Sequence, residues 1–217
     1  MKLSFILTGE GSSDLRLVEH IGSVLIEEGF TEVRGEAPDL SLFSPAVGRS
    51  VREKLMALAR HYPNSDVIFV HRDADNVGVE TREQEVWRAA LGILAAERII
   101  PVIPVTMLET WLLADAEAIK RVAGNSGYKG SLECIPGISR LEKVRDSKQL
   151  LCEALCEASQ TQGSRLKKFK GRFADMRARL TFDLDPNGPV KGLDSYRHFR
   201  TQVNRFSQTR LGAARKE

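Results

Sequence analysis

Three apolar runs and a weaker fourth punctuate the first half of the chain, with amphipathic stretches between them. Residues 3–8, LSFILT, form the first run and stop at Gly9-Glu10-Gly11. Ser12-Ser13-Asp14 then offers helix-opening side chains. Apolar residues recur at Leu15, Leu17, Val18, Ile21, Val24, Leu25 and Ile26 until Gly29, the spacing of a helix with one buried face. A weak strand is expected near 31–36. Val47 to Tyr62 follows as a helix with Val51, Leu55, Leu58 and Ala59 as its stripe, broken at Pro63-Asn64. Asp66–His71 reads as a strand with no alternation, as expected for cover on both faces. A helix from Val79 to Arg98, a strand over Ile99–Val105 and a helix over Leu108–Val122 complete the series. Strand and helix in alternation predict an α/β fold with a mostly parallel sheet.

After Ala123 the pattern changes. Gly124-Asn125-Ser126-Gly127 and Ile135-Pro136-Gly137 read as loops, and Ser147–Ser159 as a helix. Residues 164–182 read as a basic helix interrupted at Gly171. Asp183–Gly192 is rich in turn residues, and Leu193–Phe206 is helical in pattern. Neither a repeat nor a long low-complexity linker separates the parts. The division expected is an α/β core over residues 1–123 and a helical, basic C-terminal extension over 124–217, packed on the core.

Charge sharpens this division. The chain of 217 residues carries a net +3, but from Arg165 onward there are 14 Lys and Arg against 5 Asp and Glu. A basic quarter on an acidic body can draw a polyanion to one side, although a solvated helix face gives the same count. No apolar run reaches the roughly 20 residues of a membrane span. The first run is too short for a signal peptide, so a cytoplasmic protein without membrane association is expected. Cys134, Cys152 and Cys156 show no disulfide-framework spacing and lack neighbouring zinc ligands.

Candidate chemistry gathers where the strands end. The first strand leads to Glu10, with Asp14 four residues on. The run Val67–Val70 ends in HRDADN, which carries Asp73 and Asp75. Glu109 follows the strand at 99–105. Ligands of open parallel sheets bind outside the carboxyl ends of the strands, so neighbouring strands would place these acids in one crevice. If the chain stays extended from Asp73 to Asp75, both point to one face, and the carboxylates repel unless a cation lies between them. Oxygen donors of this kind suit Mg²⁺, which takes one or two carboxylates, waters and substrate phosphates. Two such ions about 4 Å apart can hold both oxygens of a phosphodiester displacement. Plainer roles also exist: a turn acid at Glu10, first-turn helix acids at Asp14 and Glu109, and a packed histidine at His71.

The residues Gly9-Glu10-Gly11-Ser12-Ser13-Asp14 resemble the glutamate motif of Toprim domains, in the E-x-x-x-D form of nucleases related to the overcoming-lysogenization-defect family. Asp73-Ala74-Asp75 resembles the Toprim D-x-D motif. Glu109-Thr110-Trp111-Leu112-Leu113-Ala114-Asp115 resembles a helix of a bacterial Toprim-like family of unknown function. Ser147-Lys148-Gln149-Leu150-Leu151 and Tyr196-Arg197-His198-Phe199-Arg200 are similar to later motifs of that family. The resemblance touches most of the chain. It implies a compact Toprim-like (Rossmann-like) sheet of about four strands between helices, divalent-metal chemistry on nucleic acid, and an ATPase partner of the kind encoded beside such proteins in anti-phage loci. The stretch Arg165–Arg172 is more basic than that pattern.

The expectation is therefore a nuclease dependent on Mg²⁺ or Mn²⁺. Asp73 and Asp75 would bind metal, Glu10 would serve as ligand or general base, and Asp14 and Glu109 would complete a second metal site. Lys148 would face the phosphate, and Arg165, Lys167, Lys168, Lys170 and Arg172 would hold a DNA or RNA backbone. The alternative is a non-catalytic nucleic-acid-binding or regulatory subunit of an ATPase complex. Neither G-x-x-x-x-G-K-[ST] nor G-x-G-x-x-G is present, against nucleotide hydrolysis by this chain. Val77 stands where a haloacid-dehalogenase pattern needs Thr. The chain is too short for topoisomerase or primase modules.

Overall fold

The computed structural model describes residues 1–11 and 14–214. Ser12 and Ser13, expected to open the first helix, lie outside the described residues, as do the last three residues of the basic tail. Four strands form one parallel sheet in the order β2-β1-β3-β4: β1 (Lys2–Thr8), β2 (Glu32–Glu36), β3 (Val67–His71) and β4 (Ile99–Val102). Leu7 lies opposite Phe69, which in turn lies opposite Ile100. The chain runs from β1 outward to β2, then crosses back to β3 on the other side of β1. The carboxyl ends of β1 and β3 thus bound the switch point where α/β sheets bind ligands.

Strand alternation sorts the apolar side chains into two layers. Ile6, Ile68, Val70 and Ile99 pack against Val51, Leu55 and Leu58 of α2 (Val51–His61) and Val86 and Ala90 of α3 (Val79–Ala90). Leu3, Phe5, Leu7, Val67, Phe69, Ile100 and Val102 face the opposite layer. That layer holds α1 (Leu17–Glu27), α4 (Glu109–Leu112), α5 (Ala116–Val122), α6 (Ile138–Leu141), α7 (Ser147–Ser159), α8 (Gly163–Lys170), α9 (Phe173–Phe182) and α10 (Asp194–Ala214). Residues beyond 123 share this one core with the sheet. Trp111 is fully buried, donates its indole N–H to Ser195 Oγ at 2.9 Å, and meets the Tyr196 ring edge-on at 5.1 Å. His20 Nδ1 donates to the Leu184 carbonyl at 2.9 Å, leaving Nε2 to accept from Tyr196 Oη at 3.0 Å. Burial pushes the His20 pKa down to about 4, so this link works through a neutral ring.

Several element boundaries differ from the sequence expectation. The helix expected from Val47 begins at Val51, because Ser50 and Glu53 form a capping box whose side chains satisfy each other's backbone N–H. The helix expected to reach Arg98 ends at Ala90; Gly92 then takes φ 73° and a short 3₁₀ turn covers Ala96–Arg98. Strand β4 ends at Val102 rather than Val105. The helix expected over 108–122 is two helices, because Asp115 caps α5 by accepting from the Ala118 N–H at 2.9 Å. The last helix runs to Ala214, eight residues beyond Phe206. No helix among the described residues is long and apolar enough to cross a membrane.

Candidate active site

Beyond β1 the chain turns back on itself. The Asp14 N–H donates to the Gly11 carbonyl, and the Gly11 N–H to Asp14 Oδ2, both at 3.2 Å. Gly9 sits so close that a Cβ there would lie 3.2 Å from the Asp14 Cβ. Asp14 is thereby folded under the end of the strand and is 5 % exposed. His71, the last residue of β3, is fully buried beside it. The imidazole lies 3.5 Å from Asp14 Oδ2 through Nδ1 and 3.5 Å from Asp73 Oδ1 through Nε2, and neither nitrogen has a hydrogen-bond partner among the described residues. Burial works to lower the His71 pKa. Asp14, Asp73 and Glu10 outweigh it, so the His71 pKa is raised above the usual histidine value, which favours the cationic ring.

A second cation completes the cluster. Arg177 projects from α9 into the core. Its Nε donates to Glu109 Oε1 at 2.6 Å and its Nη2 to Asp14 Oδ1 at 3.0 Å. All three side chains are under a tenth exposed. Nη1 is buried without a hydrogen-bond partner among the described residues. Burial alone would raise the Asp14 pKa, but His71 and Arg177 hold it well below the usual carboxylate range. Glu109 therefore does lie near Asp14, as the sequence suggested, with a guanidinium between them.

Asp73 is the carboxylate left under strain. Its Oδ1 accepts from the Leu108 N–H at 3.0 Å, while Oδ2 has no hydrogen bond among the described residues. Burial pushes its pKa up to about 6. His71 opposes the shift, and Asp14, Glu109 and Glu10 add to it. Asp73 thus feels the acids that follow β1 and the one that opens α4. Asp75 departs from the expected shared face, because its φ of 45° takes the chain out of extended geometry. Its Oδ2 accepts instead from Arg82 Nη2 at 3.2 Å. Arg82 also pairs with Glu85, Glu85 with Arg72, and Arg72 Nε with Glu10 Oε1 at 2.5 Å. A ribbon of alternating charge thus joins Glu10 to Asp75 across the rim.

The five acids therefore form two groups rather than one cage. Asp14, Asp73 and Glu109 surround His71 and Arg177; Glu10 and Asp75 end the rim ribbon. No three His, Cys, Asp or Glu side chains among the described residues converge closely enough to enclose a metal ion. Magnesium does not require such a cage when substrate phosphate and water supply most of its ligands. Asp73 and Glu10 fit that mode: each is partly exposed, and each keeps one carboxylate oxygen without an ion pair or hydrogen bond among the described residues.

The other expected site residues lie further out. Lys148 is exposed in the first turn of α7, beside the buried Ser147, whose Oγ is 2.7 Å from Thr110 Oγ1. Lys148 forms no ion pair among the described residues. Arg165, Lys167, Lys168, Lys170 and Arg172 are exposed on α8 and just past its end, likewise without ion pairs among the described residues, while Phe169 anchors the helix in the core. The residues that sequence reasoning passed over are the cations Arg72, Arg82 and Arg177. Arg177 did carry a signal: it lies at helical spacing from Phe173 and Leu180, on the buried face of α9. Compared with protein-family models, with curated proteins and with solved structures, the chain shows no match.

Proposed function

We propose that the protein is a divalent-metal-dependent nuclease acting on phosphodiester bonds in DNA or RNA, with its reacting centre at Asp73 and Glu10. The supporting observation is the gathering of acids from the ends of β1 and β3 and the start of α4 at the switch point of the sheet. A cleft of about 690 Å³ opens beside them, lined in part by Arg49, Lys54 and Arg72. Carboxylates beside basic side chains suit a substrate that is an anion and needs a hard cation. This is the chemistry that the Toprim resemblance also implies.

Each residue then has a task. Asp73 and Glu10 would hold Mg²⁺ or Mn²⁺, which supplies Lewis-acid stabilisation of the phosphoryl oxygens. Glu10 also accepts the proton of the attacking water. Asp14, Glu109 and Arg177 position the centre: they fix the turn after β1 against α4 and keep negative potential around Asp73. His71 balances that potential from beneath. Asp75 and Arg82 hold the rim. Lys148, exposed in the first turn of α7, would stabilise negative charge at the phosphate. The α8 cations would hold the nucleic-acid backbone by charge, a mode that suits a chain with 6 % aromatic residues.

A cleavage assay tests this proposal: purified protein with Mg²⁺ or Mn²⁺ on plasmid, linear DNA, single-stranded DNA and tRNA, beside Asp73→Asn. Metal-dependent cleavage by the wild type alone supports it; equal cleavage by both proteins overturns it. In the same protein, affinity for the strand should fall steeply from about 50 to 300 mM salt. Lys167→Ala/Lys168→Ala should lower the log–log slope by about 1–2. An unchanged slope removes α8 from the binding surface.

One observation favours the alternative, a regulatory subunit of an ATPase complex. Every expected metal ligand already contacts a basic side chain, so each of these carboxylates has an ion-pair partner without metal. In that case the wild type cleaves nothing, and Asp73→Asn leaves partner assembly and ATPase stimulation unchanged.

A further inference from the structure

We infer that the cleft beside the carboxylate cluster is a nucleotide-unit subsite, with Lys54 and Arg49 as its phosphate-binding cations; this rests on the phosphodiester reading above. The cleft lies between the loop after β1, the end of β3 and the segment from Pro38 to α2. Its acids are already engaged. Asp39 accepts from the Ser41 N–H and hydroxyl, and Glu10 is paired with Arg72. Glu53, next to Lys54 in sequence, is spent on the capping box, accepting from the Ser50 N–H and hydroxyl. Gly48 leaves room for this arrangement: a Cβ there would displace the Glu53 carboxylate.

Lys54 and Arg49 are consequently left without an ion-pair partner among the described residues. Lys54 is half-buried, forms no ion pair among the described residues, and donates only to the Gly9 carbonyl, at 2.7 Å. Burial and the nearby Arg72 lower its pKa, with Glu10 and Asp14 opposing. Arg49 is exposed at the mouth, also without an ion pair among the described residues. A phosphate on Lys54 would meet its ammonium and the Arg49 guanidinium, with Arg72 also on the lining. The apolar lining at Leu15, Pro38, Leu40 and Val47 offers a wall for a sugar and base. A volume of about 690 Å³ falls in the range that holds ligands of nucleotide size. The wall includes no aromatic ring, so the base would be covered without stacking.

The shared chemistry is a phosphate carried on a nucleoside, either within a strand or free. The probes are a phosphorothioate dodecanucleotide and adenosine monophosphate, each titrated calorimetrically in metal-free buffer. Lys54→Gln keeps a donor for the Gly9 carbonyl and removes the charge. It should weaken oligonucleotide binding about 10-fold, and Arg49→Ala should weaken it less, with unchanged melting curves. Binding of the monophosphate as well, lost in the same variants, identifies a free nucleotide as a second source; binding of the oligonucleotide alone identifies the strand. Wild-type affinity in both variants, or no metal-free binding of either probe, overturns the inference. Asp73→Asn separates the two claims. If it retains metal-free, Lys54-dependent binding while the wild type proves inert in cleavage, the subsite stands and the nuclease falls. If cleavage depends on Asp73 while Lys54→Gln leaves affinity and KM unchanged, the nuclease stands and the subsite falls.

Discussion

Arg177→Met should destabilise the protein by about 3–5 kcal/mol, the cost of removing one partner from a buried ion cluster. For a chain of this size that corresponds to a melting temperature lower by about 10 °C. The reason is the burial of both acids. Arg177 is the hydrogen-bond donor shared by Glu109 and Asp14, and all three side chains are under a tenth exposed. Methionine fills much of the same volume, so the loss is electrostatic rather than a cavity. The variant's pH dependence follows from this. In the wild type the Asp14 pKa is depressed, so its stabilising contribution is present above the usual carboxylate value and lost as pH falls below it. In Arg177→Met the acids are protonated more readily, and acidification to about pH 5 should recover part of the loss. Adding Glu109→Gln should recover part of it at neutral pH as well. Thermal melts across pH 5–8 check this; a variant that melts with the wild type at pH 7.5 would show that the guanidinium does not hold the cluster together.

Asp73→Asn should move stability and activity in opposite directions. Asparagine retains the oxygen that accepts from the Leu108 N–H and removes a charge that burial and three other acids oppose. The sign follows from the raised pKa. Between the unfolded value near 4 and the folded value of about 6, the native state binds more protons, so Asp73 makes stability fall as pH rises through that window. The raised His71 pKa acts in the same direction at higher pH, its contribution being complete below the unfolded value and lost as pH climbs through the folded one. The two groups are in contact and titrate as a pair. At pH 8, Asp73→Asn should therefore be more stable than the wild type by about 1–2 kcal/mol. Cleavage should drop by about 100-fold or more, the scale of losing a centre that stabilises transition-state charge. Denaturant melts and initial rates on one preparation read both quantities. Lower stability in the variant would mean that Asp73 is a structural acid; a preserved rate would mean that it is not at the reacting centre.

The three strands β1, β3 and β4 were legible because each carries its burial in its own residues, whereas β2 has no buried residue and left only a weak signal. Val67–Val70 and Ile99–Val102 are apolar on both sides, as cover on both faces demands. Helix ends were less legible, because apolar spacing continues through a turn without showing it. The stop at Ala90 is set by the backbone at Leu91 and Gly92, and the break at Asp115 by a side chain used as a cap. The site divides in the same way. Acids at strand ends stand out because they interrupt apolar runs, and Glu10, Asp14, Asp73 and Glu109 do gather at one end of the sheet. Their counter-charges do not stand out. Arg177 is 163 residues from Asp14 in sequence and lies in a region whose basic residues suggested a solvated or nucleic-acid-binding surface. The separation of Asp75 from Asp73 depends on a single positive φ, which an aspartate in a DADN turn does not announce.

The most direct measurement is Mn²⁺ binding followed by electron paramagnetic resonance, with and without the phosphorothioate oligonucleotide. Because Asp73 and Glu10 supply only part of a coordination shell, the wild type should bind Mn²⁺ weakly alone and at least about 10-fold more tightly with the strand present. Asp73→Asn should lose that gain while still binding the strand. Tight Mn²⁺ binding that is indifferent to both the strand and Asp73, or no binding under any condition, would contradict a metal centre completed by substrate at the ends of β1 and β3.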